Sequence, residues 1–278
     1  DFGFMANWGI DKQSRDLGLA LAMARAVRVL TGCGCGRLTL LGYSSGSATG
    51  YAALNAEAQR PPALRQVANW IAVDYSPISD NDDWNQIANC GYVPFYQDML
   101  DRGEYGYFVG FDYLGNLART DPGGESPVFP GFTNLQAAMY MGAGQIFGVG
   151  DIHYLAGIWE NDLPVAFQFL TVDQWLDFME NMAASEPILF ELQYSEQMAG
   201  LDSPFVGHLG DITVPVLDIG GGGGVAPYTA ATVGYLGSTD ITQLYVSTNA
   251  DPLLDYGHID LFTASNSPGW ICTARPAS

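Results

Sequence analysis

The chain of 278 residues carries ten Lys+Arg against thirty Asp+Glu, a formal charge of −20, with 48% hydrophobic residues. So acidic a surface repels phosphate backbones and argues against nucleic-acid binding. No apolar run approaches the ~20 residues that span a bilayer, and the length fits one large domain or a core domain with a substantial insertion. An Asp-rich exterior whose only lysine is Lys12 suits high salt or an extracellular, secreted setting, where self-repulsion is screened, and equally a plain acidic protein. The opening residues Asp1-Phe2-Gly3-Phe4 show no basic n-region of a signal peptide.

In chain order, residues 16–31 predict a helix capped by Asp16, with Leu19, Met23, Val27 and Leu30 as an apolar stripe and Gly32 as its stop. The four cysteines read either as one or two disulfides or as free thiols. Cys33 and Cys35 alternate with glycines, whereas Cys90 and Cys272 lie far off. Arg37 to Leu41 predicts a strand, Gly46 to Gln59 an alanine-rich helix and Trp70 to Val73 a second strand, which is the βαβ unit of a parallel sheet. From about Ser79 the texture changes to aromatics, Gly and Asn, with one helical stretch at Val172–Ala184. Residues 80–209 are therefore read as an insertion between a first core segment, 1–79, and a last one, 210–278. In the latter, Ile212–Ile219 predicts a strand, 227–236 a helix and Ile241–Val246 the final strand.

The segment Gly42-Tyr43-Ser44-Ser45-Gly46 is a G-x-S-x-G match between a predicted strand and a predicted helix. That context places Ser44 on a strained strand-to-helix turn as a candidate nucleophile, with the N–H of Ser45 as an oxyanion donor at the positive end of the helix. His258, in Gly257-His258-Ile259-Asp260 after the last strand, follows in the order that supplies a general base. His153 and His208 are read as structural, and the scattered histidines give no metal-ligand spacing.

These motifs, with the strand Val214-Pro215-Val216-Leu217, resemble the α/β-hydrolase superfamily, in the manner of lid-bearing lipases and esterases. The resemblance covers residues 16–79 and 210–278. It implies a mostly parallel sheet flanked by helices, residues 80–209 as a lid, a Ser-His-acid triad and no cofactor. The substrate class it implies is a small-molecule or lipid-like ester cleaved through an acyl-enzyme; the aromatics Phe95, Tyr96, Tyr105, Tyr107, Phe108, Phe111 and Tyr113 either line that lid or form its own core. The family's acid belongs after the strand 212–219, where this chain has Gly220 to Gly224. Asp74, ending the strand after the nucleophile helix, is the first substitute, or else caps the next turn; Asp240, Asp251 and Asp218 are further candidates for the acid. A dinucleotide-binding reading of Gly221 to Ala226 fails because Pro227 follows at once and Asp240 precedes the next strand. Only 43 residues precede Ser44, fewer than the resemblance requires for the strands that open the sheet. A second chain, a homo-oligomer or further N-terminal sequence is expected against that edge. The competing reading is an inactive extracellular scaffold on the same fold.

Overall fold

The computed structural model describes residues 2–146 and 148–264. Its regular elements begin with α1 (Ile10–Leu30), β1 (Leu38–Tyr43), α2 (Ser45–Ala58), β2 (Val67–Val73), α3 (Asp82–Ile87) and α4 (Val93–Asp101). Next come β3 (Gly106–Phe108), α5 (Phe111–Thr120), α6 (Asn134–Ala143), β4 (Gly157–Glu160), β5 (Leu163–Phe167) and α7 (Val172–Glu180). The series closes with β6 (Ser185–Pro187), α8 (Ile188–Met198), β7 (Val216–Gly221), α9 (Ala226–Thr229), β8 (Ile241–Val246) and α10 (Asp260–Thr263).

The main sheet has the order β1-β2-β7-β8. β1 and β2 run parallel with Leu40 opposite Trp70, and β2 and β7 run parallel with Trp70 opposite Val216. Short apolar strands alternating with helices give this arrangement because a right-handed crossover must carry a helix across one face. Leu21 of α1, Tyr51 and Leu54 of α2, and Leu40, Val67, Trp70, Ala72 and Val216 of the sheet form one buried cluster.

The chain divides into two units. The first holds residues 1–108, 185–220 and 225–245, and so the main sheet, α1 to α4, α8 and the small antiparallel pair β3–β6. The second holds 109–184, 221–224 and the chain from Val246 onward. There Trp175 is buried with Phe111, Phe167 and Phe178 around it at ring distances of 6.0, 6.3 and 5.7 Å. The β4–β5 hairpin turns on Asn161 and Asp162, both at positive φ (50° and 62°), as a two-residue turn matching strand twist requires.

Several elements depart from the sequence reading. α1 starts at Ile10, behind Gly9, and Asp16 lies inside it, paired with Lys12 at 2.9 Å. The stripe Leu19, Met23, Val27 and Leu30 faces outward, with Leu30 85% exposed, while Ile10 and Leu21 are the buried positions. β7 begins at Val216, since Leu209–Asp211 wind into a 3-10 turn. The helix expected at 227–236 is one α-turn, α9, continued as a 3-10 helix over Ala230–Tyr235. Its threonines explain the difference: Thr229 and Thr232 turn their hydroxyls to accept from the N–H groups of Ser76 (3.2 Å) and Ile78 (2.7 Å). α7 opens with the capping box Thr171/Gln174 and ends at Glu180. Cys33, Cys35 and Cys90 are free and exposed, so no disulfide forms among the described residues; Cys272 lies outside them.

Candidate active site

β1 delivers Ser44. The Ser44 N–H still donates to Val73 of β2 (3.0 Å), and its carbonyl already accepts from Ser47 of α2 (2.8 Å). One residue therefore makes the whole change of direction, at φ 52° and ψ −128°. An L-residue there costs on the order of 1–3 kcal/mol and persists only where its surroundings over-determine it. Those surroundings are specific. A Cβ on Gly42 would lie 2.6 Å from the Trp70 ring and 2.7 Å from the Gly46 carbonyl, and a Cβ on Gly50 would enter the same ring. Trp70 is fully buried and meets Tyr51 edge-on at 5.2 Å. The two glycines let α2 lie close against β1 and β2. Gly46 has a different reason to be there, because a Cβ on it would meet nothing within 4 Å. Close packing therefore accounts for the glycine before Ser44 and not for the one after it. The Ser44 side chain does not cap α2, and Ser45 is the helix's first residue, its N–H at the positive end of the dipole.

Asp74 follows β2 as Ser44 follows β1. Tyr43 pairs with Val73, so the two residues leave adjacent strand ends, and both have left-handed backbones (Asp74 φ 51°). The buried Asp74 carboxylate accepts from the N–H groups of Val225 (2.9 Å) and Ala226 (3.2 Å) at the start of α9. These bonds cap the start of α9, far along the chain, and not the turn that follows β2. Asp218, inside β7, accepts from Gln243 (3.1 Å) and the Ser76 hydroxyl (3.5 Å). Burial, with Asp74 adding to it, pushes the Asp218 carboxyl up to about 6. The main-chain carbonyl of Asp240 accepts from the Val216 N–H, and the Asp251 side chain accepts from the N–H of Leu253.

His258 belongs to the second unit, Ser44, Ser45 and Asp74 to the first. It is buried, its N–H donates to the His153 carbonyl (2.8 Å), and its ring lies 6.1 Å from that of Tyr154. Asp260 accepts from the N–H groups of Ala156 (2.7 Å) and Gly257 (2.9 Å). Burial pushes the Asp260 carboxyl up to about 6.

The glycine run at 220–224, which withholds the expected acid, has a steric cause. A Cβ on Gly221 would strike the Tyr256 carbonyl, one on Gly222 the Asp255 carboxylate and one on Gly223 the His153 ring. The segment leading into His258 occupies the space that side chains of residues 221–223 would fill. His153, read from the sequence as structural, is buried with its ring between Gly223 and Gly257; glycine at those two positions was the signal for that placement. His208 is exposed and pairs with Asp211 at 3.2 Å. Among the described residues no group of three or more His, Cys, Asp and Glu is placed to hold a metal ion, and no helix is long and apolar enough to cross a membrane.

No protein-family profile and no curated protein matches the chain. Solved structures resemble it. A structure from work on LipS and LipT, two metagenome-derived lipolytic enzymes, is 12% identical, with 92% of this chain and 68% of that one covered and a TM-score of 0.41. An α/β hydrolase from Sphaerobacter thermophilus is 15% identical, with 80% and 64% covered and a TM-score of 0.35. Epoxide hydrolase A from Mycobacterium thermoresistibile is 14% identical, with 87% and 69% covered and a TM-score of 0.39. The chain spans about two thirds of the length of these structures. It is a mostly parallel sheet flanked by helices, with α/β-hydrolases as its structural neighbours.

Proposed function

We propose that the chain is a serine hydrolase that cleaves carboxylic esters. The observation that carries the reading is the left-handed backbone of Ser44 at a one-residue turn between a parallel strand and a helix N-terminus. Strain of this kind, locked by Trp70 and two flush glycines, has no packing purpose of its own. In the proposed reaction Ser44 Oγ attacks the acyl carbon as the His258 imidazole takes its proton. The N–H of Ser45 binds the oxyanion, and His258 returns the proton to the departing alcohol. Water then releases the acid by the same route reversed. Asp74, which leaves β2 beside the end of β1 that carries Ser44, is proposed to orient the imidazole. Residues 80–209 are proposed as the lid, the substrate as lipid-like and the setting as extracellular.

A fluorophosphonate probe tests this directly. Ser44 should carry the adduct by peptide mapping, and His258→Ala should abolish it in folded protein. Labelling that survives His258→Ala, or none in the wild type, would reject the reading and favour a non-catalytic scaffold.

The first unit also supports a partner for this enzyme. Among the described residues β1 is an edge of a parallel sheet, a class of sheet that is ordinarily covered on both faces. Beyond Leu21, α1 buries nothing although it carries Met23, Val27, Val29 and Leu30. Residues 1–65 hold seven of the ten Lys+Arg and four of the thirty Asp+Glu, so this surface is basic in an acidic chain. An additional acidic polypeptide, from a second chain or a second copy, is proposed to cover it. Light scattering should find self-association that Met23→Glu with Val27→Glu abolishes; a monodisperse monomer at micromolar concentration would leave the second copy out.

A further inference from the structure

The second unit contains a polar node that the proposed reaction does not use. His153 is completely buried. Its Nδ1 lies 2.9 Å from the Asp151 carbonyl and its Nε2 3.1 Å from the Asp255 carbonyl. A carbonyl only accepts, so both contacts are hydrogen bonds when both ring nitrogens carry protons. The main chain of His153 is engaged as well: its N–H donates to the Gly223 carbonyl (3.1 Å) and its carbonyl accepts the His258 N–H (2.8 Å). Tyr154 extends the line by accepting the Ile259 N–H (2.8 Å), and the Gly223 N–H donates to Tyr256 (2.9 Å).

The ring is held between two glycines. A Cβ on Gly223 would overlap its Cε1, and one on Gly257 would come within 2.7 Å of its Cδ2. One side chain thereby ties three backbone segments together: 151–154, 221–224 and 255–259. A buried side chain that needed only to fill space would be apolar, since an imidazole in this place must satisfy two polar atoms.

We propose that His153 is a positioning residue for the candidate base: it fixes the height and direction of the loop that carries His258 by clamping the Asp255 carbonyl against the 221–224 segment. The proposal rests on the serine-hydrolase reading for its catalytic consequence, and on hydrogen bonding alone for its structural one. A general base displaced by about 1 Å loses on the order of 100-fold in rate while substrate binding is spared.

The experiment has two readouts on the wild type, His153→Phe and His153→Gln. The first is amide hydrogen exchange at residues 257–259, with α2 as an internal reference for folding. The second is kcat and KM on p-nitrophenyl butyrate. His153→Phe should speed exchange at His258 and Ile259 at least about tenfold and lower kcat about 10- to 100-fold, with KM within about threefold. His153→Gln, which keeps a donor for one carbonyl, should recover part of both. Unchanged exchange and kcat in a folded His153→Phe would overturn the proposal. So would equal damage in both variants, because a ring that merely fills volume makes no distinction between donor and apolar replacement. If His153→Phe does not fold, Gly223→Ala presses on the same ring from outside and should give the same split; no change there counts against the clamp. Wild-type protein that turns over no ester and takes no fluorophosphonate rejects the hydrolase reading instead, while the exchange data still decide whether His153 holds the loop.

Discussion

Ser44→Gly should abolish turnover and at the same time raise the stability of the protein. Loss of the proposed nucleophile is expected to cost on the order of 10³- to 10⁶-fold in kcat. Glycine adopts φ 52° without the clash that burdens serine, which returns about 1–3 kcal/mol of strain. The greater freedom of glycine in the unfolded chain takes back about 0.5–1 kcal/mol, leaving a net gain near 1 kcal/mol. Ser44→Ala removes the hydroxyl but keeps the Cβ and therefore the strain, so it should be equally inactive and no more stable than the wild type. Urea melts of the three proteins separate the contributions. A Ser44→Gly protein no more stable than Ser44→Ala would show that the turn is relaxed, and strain would no longer mark the site.

Gly50→Ala should be among the most damaging single-methyl additions in the first unit, at about 1–3 kcal/mol or more. Its Cβ has nowhere to go but into the Trp70 ring, itself fixed by Tyr51 and by the strand on which it sits. Part of the loss should return in the double variant Gly50→Ala/Trp70→Phe, since the smaller ring opens the space the methyl needs. Gly46→Ala is the opposite case. The added methyl meets nothing, and alanine favours a helix over glycine by about 1 kcal/mol, so this variant should melt higher than the wild type. Calorimetry that ranked the two substitutions alike would mean α2 is not pressed onto Trp70 as described.

The alternation of short apolar strands with helices was legible along the chain, and β1, α2, β2 and β8 lie within a few residues of their expected positions. Boundaries slipped where local side-chain chemistry outweighed periodicity. Thr229 and Thr232 spend their hydroxyls on residues 76 and 78, and Pro215 together with the 3-10 turn before it delays β7. The α1 stripe was visible as a pattern, but a pattern does not say which face has something to pack against. At the site, G-x-S-x-G pointed to the turn that Ser44 makes, because that motif is the local expression of a backbone constraint. The glycine run at 220–224 was visible only as an acid gone missing. Its cause is the arrival of residues 153 and 255–256 from far along the chain, and no window of sequence holds both sides of that contact.

Among the described residues β1 is an outer strand of the main sheet, and that has a consequence for handling the protein. Leu38-Thr39-Leu40-Leu41-Gly42-Tyr43 is a six-residue segment with no charge and no proline, a composition disposed to extended structure and, on an outer strand, to further strand pairing. Such a segment is a template for ordered aggregation, and what opposes it here is mutual repulsion between molecules of charge −20. Screening that repulsion with salt shortens its reach to about 8 Å at physiological ionic strength. The chain is therefore expected to form fibrils more readily as salt is raised, unless the β1 edge is occupied.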